Sequence, residues 1–338
     1  MLAKRPSIQV LGVSRAFLLL GLALLSGSSG ADPRVELMQQ GRCVECSLAS
    51  VDLSGMDLQG ADLRGADLSG ANLSASRLDG ALLYQANLAG ATLRDARLDR
   101  ASLSRADLSG VDLQGQSLLR GRLSYARLHG ARLNDANLQQ ANLQGADLSQ
   151  ADLSGANLGD AQLTQVNFNG ARLERARLSG AHLRGARLQG ARLVFAELKK
   201  SDLREADLRD ADLSGARLIG ARMAKARLSG ARLVNVALGG NLIDTDFSNA
   251  LIQRSSLAGA NLKGARFEGT KLDGVDFSGA NLYGVDFTHA ELSRCLFEKA
   301  NLNQTRFTER QRRENRIDGQ PASAERQGRL KAEAVSPR

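Results

Sequence analysis

A five-residue period runs through most of this chain, and it restricts the backbone more than any other feature. Ala61-Asp62-Leu63-Arg64-Gly65, Ala66-Asp67-Leu68-Ser69-Gly70 and Ala151-Asp152-Leu153-Ser154-Gly155 show the unit, with Leu at its centre. Centres recur from Leu48 to Leu238, slip by one at Gly239-Gly240-Asn241, and resume from Leu242 to Phe307. Of the 53 centres, 44 are Leu and 7 are Phe, and 35 of the residues two places earlier are Ala, so both positions read as core. Period five matches neither the 3.6 of a helix nor the alternation of a long strand. Within each unit, however, an apolar, a polar and an apolar residue make one very short strand. A Gly-rich or polar pair then turns the corner. Four such segments close a coil of 20 residues, and coils stack at about 4.8 Å with Leu and Ala inward. Aromatics are only 4% of the chain and Trp is absent, so the core of such a stack is aliphatic.

These residues resemble the pentapeptide-repeat proteins, whose pattern is A-(D/N)-L-x-x, and the resemblance covers 47–307. It implies an all-β solenoid, a right-handed quadrilateral β-helix of about 13 coils and on the order of 60 Å long. Residues 42–48 are also similar to a Cys-x-x-Cys lead-in found ahead of many such arrays. The chain then divides into a 1–30 leader, a 31–46 cap, repeats over 47–238, the slip at 239–241, repeats over 242–307, and a polar tail over 308–338.

The ends differ from the repeats. Lys4, Arg5 and Arg15 precede the apolar run 16–25, and small residues follow at 26–30, the layout of a secretory signal peptide. The run is shorter than a membrane-spanning helix requires. The expected location is therefore the exterior, most simply a periplasm, with no stable membrane span after cleavage; an uncleaved, membrane-tethered form is the alternative. Asp32-Pro33 predicts a short capping helix near 33–40. Cys43 and Cys46 stand where the chain enters the first coil, and in an oxidising compartment they would tie down the cap as a disulfide; a thiol redox pair, without a thioredoxin-like context, and half a zinc site, without further ligands nearby, are the alternatives. After Phe307 the chain is hydrophilic: one or two helical turns at most are expected, covering the core poorly, with disorder from about 318.

Within the repeats, Phe247, Phe267, Phe287 and Phe307 fall 20 residues apart and predict one inner aromatic column, with Phe277 and Phe297 opposite. Gln116 and Gly121 occupy inward places that otherwise favour Ala and mark a local defect. The slip at 239–241 predicts a kink or bulge.

Charge is arranged in blocks at the outward position. Arg177, Arg187 and Arg192 lie one coil before Glu197, Asp207 and Asp212, which predicts structural charge ladders between coils. Asp107/Arg127/Asp147 and Asp112/Arg132/Asp152 repeat the alternation. Coil 216–235 holds Arg217, Arg222, Lys225, Arg227 and Arg232 with no acid, a candidate polyanion patch. Its charges surround the coil, and no exposed aromatics accompany them, so nucleic acid is a poor partner. The net +9 falls to +6 without the leader, which is mild for the length.

No catalytic motif is present, and His129, His182 and His289 occupy different register positions. No metal or cofactor is expected. The sequence reads as a non-enzymatic, exported structural or protein-interaction rod, whose partner is an unidentified protein or envelope component. The resemblance also implies a rival, a DNA mimic that binds gyrase or topoisomerase IV and protects against quinolones. That role calls for an acidic cytoplasmic rod, and this chain is basic with a leader. A third reading is a cell-envelope or acidic-polymer-binding module.

Overall fold

The computed structural model describes residues 32–317; the leader and the tail from 318 lie outside the described residues. Contacts divide the chain into two compact units, Met1–Asp147 and Leu148–Arg338, so the division falls within the repeats and not at the phase slip. Each unit is a β-helix-like solenoid.

In the first unit, helix α1 (Pro33–Gln40) precedes the coils. The Asp32 side chain accepts from the Arg34 amide at its N-terminus, and Gly41 closes it in the left-handed conformation. Leu37 is its one buried residue. The coils that follow have strands a single residue wide. Asp62 pairs in parallel with Arg42 and Leu82, and Asp67 with Ser47 and Asn87, a step of twenty residues or four repeats. Leu63 N donates to Leu82 O and Leu82 N to Ala61 O, both at 2.8 Å. Coil-to-coil bonding thus satisfies the backbone that a five-residue period leaves without helix or long strand. Leu63, Leu68, Leu73 and Ala66 are fully buried. Each buried Leu contributes roughly 1.5–3 kcal/mol.

The Asp or Asn of each repeat has a local task. Asp52 Oδ1 accepts from Ser54 N at 3.0 Å, Asn72 Oδ1 from Ser74 N at 3.1 Å, and Asp107 Oδ1 from Ser109 N at 3.0 Å. Each side chain therefore holds the corner that follows it, in the manner of an Asx turn. The second corner residue lies in the left-handed region whether it is Gly65 (φ 65°) or Tyr125 (φ 58°). Gln116 departs from the inward Ala rule without being orphaned: with its amide oriented to suit its neighbours, the nitrogen donates to Ala96 O at 2.6 Å and the oxygen accepts from Asp95 N at 3.0 Å. Gly121 stands where a Cβ would come within 3.0 Å of Leu118 O.

The second unit repeats this design with longer strands. β1 (Arg217–Leu218) pairs with β3 (Ala237–Leu238). β2 (Arg232–Val234), β4 (Leu251–Gln253), β5 (Lys271–Asp273) and β6 (Glu291–Ser293) form a parallel sheet in that order. The phase slip is absorbed at one corner. Arg217 pairs with Ala237 twenty residues on, but Arg222, Arg227 and Arg232 pair with Asn241, Asp246 and Leu251, nineteen residues on. Gly240 adopts φ 110°, and a Cβ there would lie 2.9 Å from Ala221 O, so only glycine fits. Its carbonyl accepts from Asn261 N, the role of the inward residue elsewhere, so one residue serves as both corner and core.

The Phe residues form two interlocked columns. Phe247–Phe267, Phe267–Phe287 and Phe287–Phe307 centroids lie 5.1, 4.9 and 5.2 Å apart, and Phe277–Phe297 lie 5.2 Å apart. Edge-to-face contacts such as Phe277–Phe287, at 5.8 Å, join the columns. Inward hydroxyls turn to backbone carbonyls: Thr270 to Phe247 O, Thr305 to Leu282 O, Ser201 to Leu198 O.

The tail begins with the one or two polar helical turns expected of it, but it covers the last coil better than its hydrophilicity suggested. Helix α2 (Glu309–Glu314) follows a full capping box formed by Thr308 and Gln311. It covers the last coil with polar groups instead of apolar ones. Gln311 Nε2 donates to both Phe287 O and Ala290 O at 2.8 Å, and Asn315 Oδ1 accepts from Cys295 N at 3.0 Å. A hydrophilic segment can close a solenoid in this way because an open coil exposes backbone groups as well as core.

Candidate interaction surfaces

Cys43 and Cys46 form a disulfide with Cα atoms 5.5 Å apart. Cys43 is buried at the junction of α1 and the first coil, where its amide donates to Asp62 O at 2.7 Å. The bond closes a local loop within the cap, and the Cys43 amide joins that loop to the next coil. Cys295 is a buried free thiol, and burial pushes its pKa up to about 12, so it is inert as a nucleophile.

Two of the expected ladders form ion pairs between coils, Arg127 with Asp107 at 3.4 Å and Arg132 with Asp112 at 3.3 Å, but those of the 177–212 block exist as backbone neighbours only. Arg177 pairs with Glu197, Arg187 with Asp207, and Arg192 with Asp212 across the coils. Their side chains choose other partners or none. Arg192 Nε meets Glu174 at 2.8 Å. Asp207 is gripped by Arg209 of its own coil at 2.6 Å and approached by Arg227 at 3.7 Å. Asp202 is held in the same way by Arg204, at 2.5 Å, with Arg222 at 3.9 Å. Arg177 and Glu197 make no ion pair among the described residues. The correction has a geometric cause: a residue two places on lies over the corner that the carboxylate already binds, so its guanidinium arrives without crossing to the next coil. The Arg204 and Arg209 guanidiniums accordingly hold the Asp202 and Asp207 carboxyls below the usual range.

The five cations of coil 216–235 lie apart. Arg217, Arg222, Arg227 and Arg232 occupy four successive sides, each beside an acidic residue of the preceding coil, Glu197, Asp202, Asp207 and Asp212. Lys225 sits at a corner. The structure does not bring these five together as one patch.

A group the sequence reading passed over is in the first unit. Leu82, Tyr84 and Tyr125 are 40%, 39% and 52% exposed. Arg105 sits 5.7 Å from the Tyr125 ring centroid. Tyr84 and Tyr125 occupy corner positions, and only a twenty-residue register extended from the strand to the corner shows that they share one edge. In the second unit Phe195 is 59% and Ile219 54% exposed, at different corners. Among the described residues no cluster of three or more metal-ligating side chains occurs, and no helix is long and apolar enough to cross a membrane.

This geometry agrees with what the chain resembles in sequence. The pentapeptide-repeat description matches in eight copies over segments between 42 and 240, and a pentapeptide repeat region matches at 239–307. The chain belongs to the pentapeptide-repeat family. Similar solved structures include HetL, a pentapeptide repeat protein involved in heterocyst differentiation regulation in the cyanobacterium Nostoc sp. strain PCC 7120. It is 29% identical over 69% of this chain and 86% of its own, with a TM-score of 0.28. A pentapeptide repeat protein from the Arabidopsis thaliana thylakoid lumen is 37% identical over 29% of this chain and 68% of its own, with a TM-score of 0.29. A form of QnrB1, a plasmid-mediated fluoroquinolone resistance protein, is 19% identical over 63% of this chain and 97% of its own, with a TM-score of 0.35. No curated protein sequence matches the chain.

Proposed function

We propose that this protein is an exported, non-enzymatic interaction scaffold. The observation that carries the reading is the composition of its interior. Leu, Ala and Phe fill it, and inward hydroxyls such as those of Thr270 and Ser201 are spent on backbone carbonyls. Groups able to engage a partner therefore lie on the outside, presented at regular intervals by stacked coils. The finer architecture belongs to the same proposal: a right-handed, four-sided helix of about 13 coils.

Export rests on the basic, apolar and small-residue order of 1–30, and it fits a disulfide at Cys43–Cys46. Fractionation of the host with N-terminal sequencing tests it. A chain starting near Ala31 in the periplasmic fraction is the expected result. An intact Met1 in the cytosol would overturn export, and an intact Met1 in the membrane fraction would make the protein a tethered scaffold. Cross-linking in intact cells tests the scaffold role; a chain that captures no specific protein or envelope polymer would contradict it.

A further inference from the structure

On one side of the first unit a run of coils carries four Arg, and the acids bordering it are Asp62 in the coil before and Asp79 and Asp99 at the corner. Leu82, Ser102, Arg122 and Asn142 stack there in one parallel column. The corner before this column bears Arg100 and Arg120, and the corner after it bears Tyr84, Arg105 and Tyr125. Across 80–85, 100–105, 120–125 and 140–145 there are four Arg and no Asp or Glu. All four Arg are exposed, and none forms an ion pair among the described residues. Arg120 Nε donates instead to Gln140 Oε1 at 2.8 Å, and Arg105 lies against Tyr125. Asp99, which precedes Arg100, turns its carboxylate to Ser117 Oγ and to the Leu119 amide. The contrast with coil 216–235 is one of arrangement: there each Arg is on a different side, whereas here four exposed Arg with no ion pair among the described residues share one side. Their fields add and favour an anionic partner.

The texture of the surface selects the kind of anion. Stacking on nucleic-acid bases requires an open aromatic face. The Tyr125 ring is occupied on both sides, by the Arg105 guanidinium and by the bare backbone of Gly145, where a Cβ would come within 2.5 Å of Cε1. Tyr125 therefore offers its edge and hydroxyl. Between the arginines lie Ser102, Ser124 and Asn142, neutral groups suited to sugar hydroxyls. Guanidinium forks match carboxylates bidentately. The rungs repeat at about 4.8 Å along the column, comparable to the length of a sugar ring.

We propose that this side of the first unit is a docking surface for a linear acidic polysaccharide of the uronate type. The proposal deepens the scaffold reading by naming the partner chemistry. The test is titration of the full-length chain with polygalacturonate at low salt, beside neutral dextran and oligothymidylate. Binding to polygalacturonate alone, weakening as salt rises, is expected. R100Q/R105Q/R120Q/R122Q should weaken it by roughly tenfold or more, whereas R217Q/R222Q/K225Q/R227Q/R232Q should change it less than about twofold. Thermal midpoints verify folding, and R122Q alone repeats the test should the quadruple variant be unstable. No binding by the folded chain, equal binding by the Arg variants, or tighter binding to oligothymidylate would overturn the proposal. Those outcomes leave the scaffold reading to the cross-linking experiment, which fails only when no partner of any class is captured.

Discussion

The corner residue is the smallest unit at which this fold can be tested. Its second position is left-handed at Gly, Gln, Arg, Asp and Tyr corners alike, and Ala75 holds φ 56° there with a Cβ. A left-handed residue other than glycine costs about 1–2 kcal/mol. Ala75→Gly should therefore stabilise the protein by about 1 kcal/mol, after the entropy of the added glycine is deducted, seen as a higher urea midpoint. Gly145 is the converse. Alanine there meets both the left-handed φ of 64° and the Tyr125 ring at 2.5 Å. Gly145→Ala should lower the midpoint by roughly 1–3 kcal/mol, and tyrosine fluorescence should change as the ring is displaced.

At the scale of elements, stability is concentrated where a residue closes something its neighbours leave open. Phe287 touches Phe267, Phe277, Phe297 and Phe307. Phe287→Ala should cost about 3–5 kcal/mol, and Phe287→Leu distinctly less, by chemical denaturation. Leu183, 1% exposed, tests the aliphatic part: Leu183→Asp buries a charge with no partner and should abolish cooperative unfolding. Helix α2 acts through Gln311, not through apolar cover. Gln311→Ala leaves the Phe287 and Ala290 carbonyls without their donor, at roughly 1–3 kcal/mol. Hydrogen exchange should accelerate in the last coil while earlier coils stay protected, because a solenoid transmits strain only to neighbours.

Across the whole molecule, outward charge is organised by register. In the second unit one column reads Arg187, Asp207, Arg227, Asp246 and Arg266, and the alternation survives the phase slip because Arg227 pairs with Asp246 nineteen residues on. Further along the column Asp286 pairs with Arg306. Burial opposes ionisation of Asp286, yet the Thr288 hydroxyl, the Arg306 guanidinium and the Thr288 amide outweigh it and hold the carboxyl at about 2. Asp52, Asp62, Asp67, Asp202 and Asp207 are shifted down as well. A carboxyl lowered in the folded state contributes stability above its unfolded pKa, which disappears as pH falls through the folded value. The protein should thus hold its stability down to about pH 4 and lose it progressively toward pH 2 in acid titrations followed by circular dichroism. Each exposed carboxyl contributes under about 1 kcal/mol, so Asp286→Asn should blunt the acid transition only slightly.

Much of this was legible before any coordinates. The five-residue period determined the coil, the Leu and Ala core, the Phe columns and the side on which each strand residue stands, because a fixed register admits one stacking. The helix at 33–40 was legible from Asp32-Pro33, whose capping chemistry is local. Side-chain choice was legible only in part: Arg127 and Arg132 meet Asp107 and Asp112 as the register predicts, but other ladders do not close. Register placed Arg187 beside Asp207, but the guanidinium that grips that carboxylate belongs to Arg209, because a bond already made at the corner decides which donor reaches it first. The polar closure by Gln311 and Asn315 also escaped, since apolar cover was the expected signal and hydrogen bonding to an open coil leaves no hydrophobic trace. The arginine and tyrosine side at 100–125 lies half on strands and half on corners. The sequence by itself determined which residues stack and which charges face each other; only the tertiary structure decided which of those long side chains meet, because reach and angle in three dimensions, and not period alone, select the partner.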